Sequence, residues 1–109
     1  MHKMIHGNVN SDGTKKTGYD FEVQKVNTGI YSITFRVPFP TVPTLLVTQN
    51  FPAQNYPGWD GFNENGGNTK DNAVVIAVSE ERAKIKTGDH NGNADDRNFS
   101  FLAICEIPT

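Results

Sequence analysis

The chain has 109 residues with 10 basic and 12 acidic side chains and a formal charge of −2, which predicts one domain, residues 1–109, and argues against nucleic acid as a partner. No apolar stretch approaches the roughly 20 residues of a membrane span, and the first residues lack the apolar segment of a signal peptide. With glycine counted and tyrosine left out, the apolar share is about 42%, below the roughly 45–50% of typical globular chains. We therefore expect a thin core, or one partly shared with another subunit.

The residue types within this apolar share favour β-structure. Val, Ile and Thr supply 26 residues and Phe supplies 7, whereas Leu supplies 3 and Ala 6. β-Branched and aromatic side chains fit a pleated surface and lose rotamer freedom in a helix. The sequence therefore predicts an all-β protein folded as a single antiparallel β-sandwich or jelly roll. The one cysteine, Cys105, cannot form an internal disulfide, and its apolar neighbours favour a buried thiol over a reactive one.

The N-terminal half of the chain predicts three strands. The first runs from Lys3 to Val9, and apolar and polar residues then alternate over residues 19–24 and 31–37. Between these alternating segments, Asn27-Thr28-Gly29 is typical of a hairpin turn. Residues 38–43 contain three prolines, which cannot donate to a strand ladder. This segment is therefore predicted to be an extended crossover between two sheets.

The C-terminal half predicts four more strands, which gives about seven in total. They run from Thr44 to Asn50, from Ala73 to Ser79, from Arg82 to Thr87 and from Asn98 to Ile107. Only two or three residues separate the second of these strands from the third, which indicates a second hairpin. Two segments, residues 51–72 and 88–97, carry no strand signal.

Several runs of residues resemble a known family. The runs are Gly18–Val23, Thr28–Phe35 with Pro38-Phe39 after it, Asp71–Val75, Ile85–Asp89 and Phe99–Ile104. In their order and spacing they resemble a small β-domain found at the C-terminal tips of phage tail-fibre-like and collagen-like bacterial proteins, over most of residues 7–104. The resemblance implies a trimeric, non-enzymatic β-sandwich knob that recognises a cell surface. It also implies an extracellular location on a fibre, virion or cell surface.

The segment 51–72 is long for a connection, and loops of this length are usually functional or disordered. Its four aromatic residues argue against disorder. Two of them, Phe51 and Phe62, could simply fill a satellite core. Trp59 lies between glycines that favour an exposed tip, where an indole offers a flat apolar face to a sugar ring. The predicted ligand-binding residues of this segment are Tyr56, Trp59, Asp60 and Asn63.

The most polar segment of the chain is residues 88–97. Oxygen-bearing side chains occupy alternate positions from Asp89 to Asp95, as in the first half of a calcium loop. Ala94 and Ser100 stand where that loop needs glycine and a bidentate glutamate, so no metal and no cofactor is predicted. A solvated connection held by Asx turns, calcium binding and direct ligand contact are the three interpretations. The candidates for ligand contact are Asp89, His90, Asn91, Asn93, Asp95 and Arg97.

Catalysis has little support in this sequence. Two of the three histidines lie near the N-terminus, and the adjacent Asp95 and Asp96 would face opposite sides of a strand, unlike a glycosidase pair. We therefore expect a non-enzymatic, lectin-like adhesin that assembles as a homotrimer and binds a surface glycan or another cell-surface receptor. The alternative is a structural trimerisation or end-capping domain of a fibrous protein. In either trimer, strand residues such as Ile30 or Leu46 would lie between subunits.

Overall fold

A computed structural model describes residues 1–51 and 67–108. In these ranges the chain forms eight β-strands and no helix, which confirms the all-β prediction. Because there is no helix, nothing in these two ranges forms an apolar helix that could cross a bilayer. The strands are β1 (His2–Val9), β2 (Lys15–Gly18), β3 (Phe21–Asn27), β4 (Ile30–Phe35), β5 (Thr44–Asn50), β6 (Asn72–Val78), β7 (Arg82–Gly88) and β8 (Asn98–Glu106).

The strands form two four-stranded antiparallel sheets. The strand order is β2-β1-β8-β5 in sheet A and β3-β4-β7-β6 in sheet B. Both predicted hairpins are present, as β3–β4 and β6–β7. The proline-rich segment carries the chain from β4 in sheet B to β5 in sheet A, as predicted. The predicted β-sandwich is thus confirmed.

The structure corrects the prediction in the number and the ends of the strands. The eighth strand is β2, whose four residues hold no apolar alternation and whose lysines are typical of an exposed sheet edge. Tyr19 was predicted to be in a strand but is 85% exposed, because Asp20 has a φ of 69° and turns the chain just before β3. Val37 also lies outside a strand, beyond the end of β4, and is 61% exposed.

The core fills the space between the two sheets. Aromatic rings join the sheets in edge-to-face pairs, Phe21 with Phe101 at 4.8 Å and Tyr31 with Phe99 at 5.0 Å between centroids. Such geometry is favourable because it sets a ring edge against a ring face. Cys105 lies in the same core, which confirms that the thiol is buried. The other buried hydrophobic members of the core are Ile5, Val9, Ile33, Phe35, Phe39, Ala83, Ile85 and Ala103.

The alternate side chains of the same strands point away from the core and form two unlike outer faces. The apolar face lies on sheet A, where β1, β8 and β5 align in register. It consists of Met4, Leu46, Leu102 and Ile104. The basic row lies on sheet B, along β7. It consists of Arg82, Lys84 and Lys86.

Candidate binding cleft

Four strand ends meet at one end of the sandwich and form an open cavity. The last residue of β5, Asn50, pairs with the first residue of β8, Asn98, and the start of β6 pairs with the end of β7 at Gly88. The cavity has a volume of about 540 Å³, and we call it the end cleft. Its lining includes Gln49, Asn50, Phe51, Asp71, Arg97 and Asn98.

The guanidinium of Arg97 is the centre of the polar network in the end cleft. Its Nη1 donates to Asp71 Oδ2 at 2.9 Å and to Gln49 Oε1 at 3.2 Å. Its Nε donates to Asp95 Oδ2 at 3.1 Å, and Nη2 lies 3.1 Å from the same oxygen. Partial burial opposes the charge, but the hydrogen bonds to Asp95 and Asp71 outweigh it and raise the pKa of Arg97. The group is therefore a fixed, permanent cation, and its side chain remains 30% exposed.

Gln49 holds this network to both sheets. While its Oε1 accepts from Arg97, its Nε2 donates to the carbonyl oxygens of Asn72 and Gly88, each at 2.9 Å. Gln49 lies on β5 in sheet A, and the two acceptors lie on β6 and β7 in sheet B. The amide therefore fastens the two sheets together beside the cleft and fixes the acceptor that Arg97 uses.

Asp71 is the one carboxylate in the described ranges with a buried oxygen that lacks a hydrogen bond. Its Oδ2 is bound by Arg97, but no donor in residues 1–51 or 67–108 reaches its buried Oδ1. The imidazole Nδ1 of His90 lies 3.9 Å from this oxygen, beyond hydrogen-bond distance. An unpaired buried carboxylate oxygen is unfavourable, so a hydrogen-bond donor supplied by a ligand would be stabilised at this position.

The connection 88–97 contains the Asx turn that the sequence predicted as one interpretation. Asp89 Oδ1 accepts from the backbone N–H groups of Asn91, at 2.9 Å, and Asn93, at 3.0 Å. The N–H of Asn93 and then that of Asn91 lower the pKa of the Asp89 carboxyl. These bonds explain the alternation of polar residues by turn formation.

A second carboxylate anchors the same connection to the β3–β4 hairpin. Asp96 accepts from Lys25 Nζ at 2.5 Å and from the backbone N–H of Gly29 at 2.7 Å, and these two bonds lower its pKa. Gly29 has a φ of 67°, and a Cβ there would lie 2.6 Å from the carbonyl oxygen of Thr87. Only glycine fits this approach, because an L side chain would be strained as well as blocked. The hairpin therefore sets the position of Asp96 and of the following Arg97.

A ladder of polar side chains crosses sheet A toward the cleft. Asn8 Nδ2 donates to Thr17 Oγ1 at 2.6 Å, and the side-chain oxygen Oδ1 of Asn8 accepts from the hydroxyl of Ser100. Asn50 Nδ2 donates to the same Ser100 hydroxyl at 2.5 Å. The ladder spans all four strands of the sheet and ends at a residue that lines the cleft. It orients the Asn50 amide there.

Phe51 supplies the exposed apolar surface of the cleft. It follows β5 directly and is 49% exposed. A Cβ at Gly67 would lie 3.7 Å from its ring, so the two residues are close neighbours. Both line the cleft, and they flank the segment 52–66 in the sequence.

The residues predicted for ligand contact fall into three groups. Arg97 lines the cleft, and Asp95 accepts a hydrogen bond from the Arg97 side chain. His90 lies beside Asp71. Asp89 accepts within the Asx turn, while the side chains of Asn91 and Asn93 are exposed on it. Four predicted residues lie outside the described ranges: Tyr56, Trp59, Asp60 and Asn63.

Of the residues that line the cleft, sequence reasoning named only Arg97 as a ligand contact. The polar lining residues that it missed include Gln49, Asn50, Asp71 and Asn98. Each lies at or beside the end of a strand, which is the only signal that the sequence carries for them. That signal becomes useful once the strand order is known, because the order determines which ends meet.

No group of three or more His, Cys, Asp or Glu side chains in residues 1–51 and 67–108 is placed to hold a metal ion.

Comparisons of the chain with protein-family models, with curated proteins and with solved structures find no match. The resemblance to tail-fibre and collagen-like tip domains therefore stays a prediction.

Proposed function

We propose that the chain is a non-enzymatic recognition module that binds a surface glycan in the end cleft. The observation that carries this proposal is the Arg97 network. The Arg97 guanidinium, the Asp71 carboxylate and the Gln49 amide are held together at the lining of an open cavity, and Asp95 holds the guanidinium from outside that lining. Planar polar groups of this kind form paired hydrogen bonds with neighbouring hydroxyls, which is the chemistry that a sugar ring presents.

The position of Phe51 adds the apolar half of a sugar site. Its half-exposed ring lies in the same cavity as the Asn98 and Gln49 amides. Sugar rings combine hydroxyl edges with apolar C–H faces, so a site for them needs polar groups beside an aromatic surface. The polar groups are already held by one another and by backbone, and such preorganisation reduces the entropy lost on binding.

The arrangement of the acids supports binding rather than catalysis. Asp71 and Asp95 both bind Arg97, and Asp96 binds Lys25. The hydrogen bond from Lys25 lowers the pKa of the Asp96 carboxyl, whereas a general acid needs a raised pKa. The proposed role is therefore recognition on a fibre, virion or cell surface, as the family resemblance implies.

A glycan array tests this proposal with the variant Phe51→Ala. Removal of a central aromatic anchor commonly weakens binding by about 2 kcal/mol, or roughly thirtyfold. Because Phe51 is half exposed, we expect the melting temperature to change little. Tyr19→Ala is the matched control, since it removes another exposed aromatic side chain that does not line the cleft.

The array result has two readings. Binding of a few related sugars by the natural chain and by Tyr19→Ala, with loss in Phe51→Ala, supports the proposal. No binding of any sugar, or equal binding by all three proteins, contradicts it.

A second candidate function is assembly, and the apolar face favours it. Leu46 is 61% exposed and Met4 55%, and they lie in rows with the partly exposed Leu102 and Ile104. Contiguous exposed apolar surface on a sheet is typical of an interaction site. The other residues of these two rows are His6 and Thr44, so neither row contains a Lys, Arg, Asp or Glu that would meet its like in a second copy. The proposed occupant is therefore another copy of this chain, as in a structural trimerisation domain.

A further inference from the structure

We propose that the outer face of sheet B binds an acidic polysaccharide through the basic row of Arg82, Lys84 and Lys86. This surface lies on the outside of β7 and shares no residue with the end cleft. Binding to the basic row is therefore independent of the function proposed for the cleft.

The strand geometry places the three cations on one face. Along β7, the intervening residues Ala83 and Ile85 are buried in the core, so their neighbours point outward. Residues two apart on a strand lie about 6.7 Å from each other. All three basic residues are exposed. The result is a straight row of positive charge about 13 Å long.

The basic row lacks acidic partners within the described ranges. Each salt bridge in residues 1–51 and 67–108 involves Lys15, Lys25, His90 or Arg97, and none involves the row. Like charges at this spacing repel one another, and a bound polyanion would relieve that repulsion. The chain as a whole is acidic, with a formal charge of −2, so the positive charge here is a local feature.

A shallow trough surrounds the middle cation. Lys84 pairs across the sheet with Ser32 on one side and with Ala77 on the other, and both neighbours are small. An irregularity between Val75 and Ala77 shifts the register of β6 at this point. A cavity of about 300 Å³ results, and its lining includes Ser32, Arg82 and Lys84. The trough thus sets a hydroxyl beside two cations, which suits a carboxylate or sulfate group on a sugar.

The flanking strands favour a polysaccharide over nucleic acid. The outward residues beside the row include Thr34 on β4, and Val74 and Ile76 on β6, each of the latter 46% exposed. Hydroxyl and aliphatic groups suit sugar hydroxyls and C–H faces. Single-stranded nucleic acid is bound on aromatic side chains that stack with bases, and β4, β6 and β7 present none outward.

The position of β7 also disfavours a peptide. This strand lies between β4 and β6, so its backbone donors and acceptors are paired on both sides. Peptides that bind to sheets add to a free strand edge through backbone hydrogen bonds. Recognition on the basic row must therefore use side chains, which suits a polymer with repeated anionic groups.

Binding of polygalacturonate and of heparin to the natural chain, measured by biolayer interferometry in 50 mM and 300 mM salt, tests the proposal. We expect binding of at least one of these polymers at low salt, and at least tenfold weaker binding at high salt because the charges are screened. The variant Lys84→Glu should weaken binding at least tenfold, and Lys84→Glu with Lys86→Glu should abolish it. Lys16→Glu is the matched control, since it makes the same charge change at an exposed residue of sheet A and should alter binding by less than threefold.

Four results would overturn the proposal. They are no binding of either polymer at low salt, equal binding by the natural chain and Lys84→Glu, an equal loss in Lys16→Glu, and binding of single-stranded DNA or polyglutamate as tight as that of the polysaccharide. Melting curves of the variants check the fold, and exposed side chains on a paired strand should leave the melting temperature nearly unchanged. The Phe51→Ala variant should bind the acidic polymer normally, which separates this surface from the end cleft.

Discussion

The end cleft and the apolar face both use residues of β5 and β8, yet they are built in opposite ways. In the cleft, Arg97 is held by groups from β5, from the residue before β6 and from the connection before β8. On the apolar face, Leu46 and Leu102 face solvent from neighbouring strands in register and make no directional bonds. A fixed polar network selects a ligand by geometry, whereas an apolar sheet face excludes water against any complementary surface. This difference supports the proposals that the cleft binds a ligand and that the apolar face mediates assembly.

The substitution Leu46→Arg should have the largest effect, because it places a charge in the middle of the apolar face. If copies of the chain meet there, we expect the assembly to fall to single chains of 12.0 kDa in native mass spectrometry. Each chain should keep its melting transition, since Leu46 is 61% exposed, and should keep its glycan affinity. If the natural chain is already monomeric at micromolar concentration, the proposed assembly through the apolar face is wrong.

Arg97→Ala should have the next largest effect, and on the cleft rather than on assembly. It leaves Asp71, whose side chain is only 13% exposed, without its cation. Loss of such a partner should lower the free energy of unfolding by about 1–3 kcal/mol. Urea denaturation measures this loss, and native mass spectrometry should show unchanged assembly. Unchanged stability would mean that the network does not hold the cleft together.

Acidification should have a smaller effect that again falls on the cleft side of the molecule. The pKa of Asp96 lies below its ordinary value of 3.8, first because of the hydrogen bond from Lys25 and then because of the Gly29 N–H. A lowered folded-state pKa contributes stability that is present above about pH 4 and is lost as the pH falls through the folded value. Melting temperatures measured from pH 7 to pH 2 should therefore fall below pH 4, and Asp96→Asn should make that fall shallower. If Asp96→Asn shows the same dependence of melting temperature on pH as the natural chain, Asp96 is not the source of the acid-sensitive stability.

Most of the fold could be predicted from the alternation of apolar and polar residues and from the residues that form turns. The hairpin at Gly29 and the crossover at the prolines follow from local chemistry, and both are present. The strand β2 could not be predicted, because an edge strand of lysine and threonine buries nothing. The end of β4 before Val37 was missed because alternation alone does not show where sheet pairing stops.

The sites were less predictable than the fold, because they depend on which strand ends and faces meet. Arg97 and Asp95 were found from a polar run, but Gln49 and Asp71 lie far from that run in the sequence. The basic row forms no continuous run of charge in the sequence, because Ala83 and Ile85 interrupt it at the period of a strand. Strand order and side-chain direction are long-range information, and only the structure supplies them.

The central claim, that the end cleft is the recognition site, is tested most directly by an NMR titration of isotopically labelled protein with the strongest sugar from the array. We predict that the largest shifts fall on the side-chain amides of Gln49 and Asn98 and on the Arg97 Nε–H, while Leu46 and Leu102 change little. Shifts confined to the apolar face or to the basic row, with the cleft signals unmoved, would contradict the account.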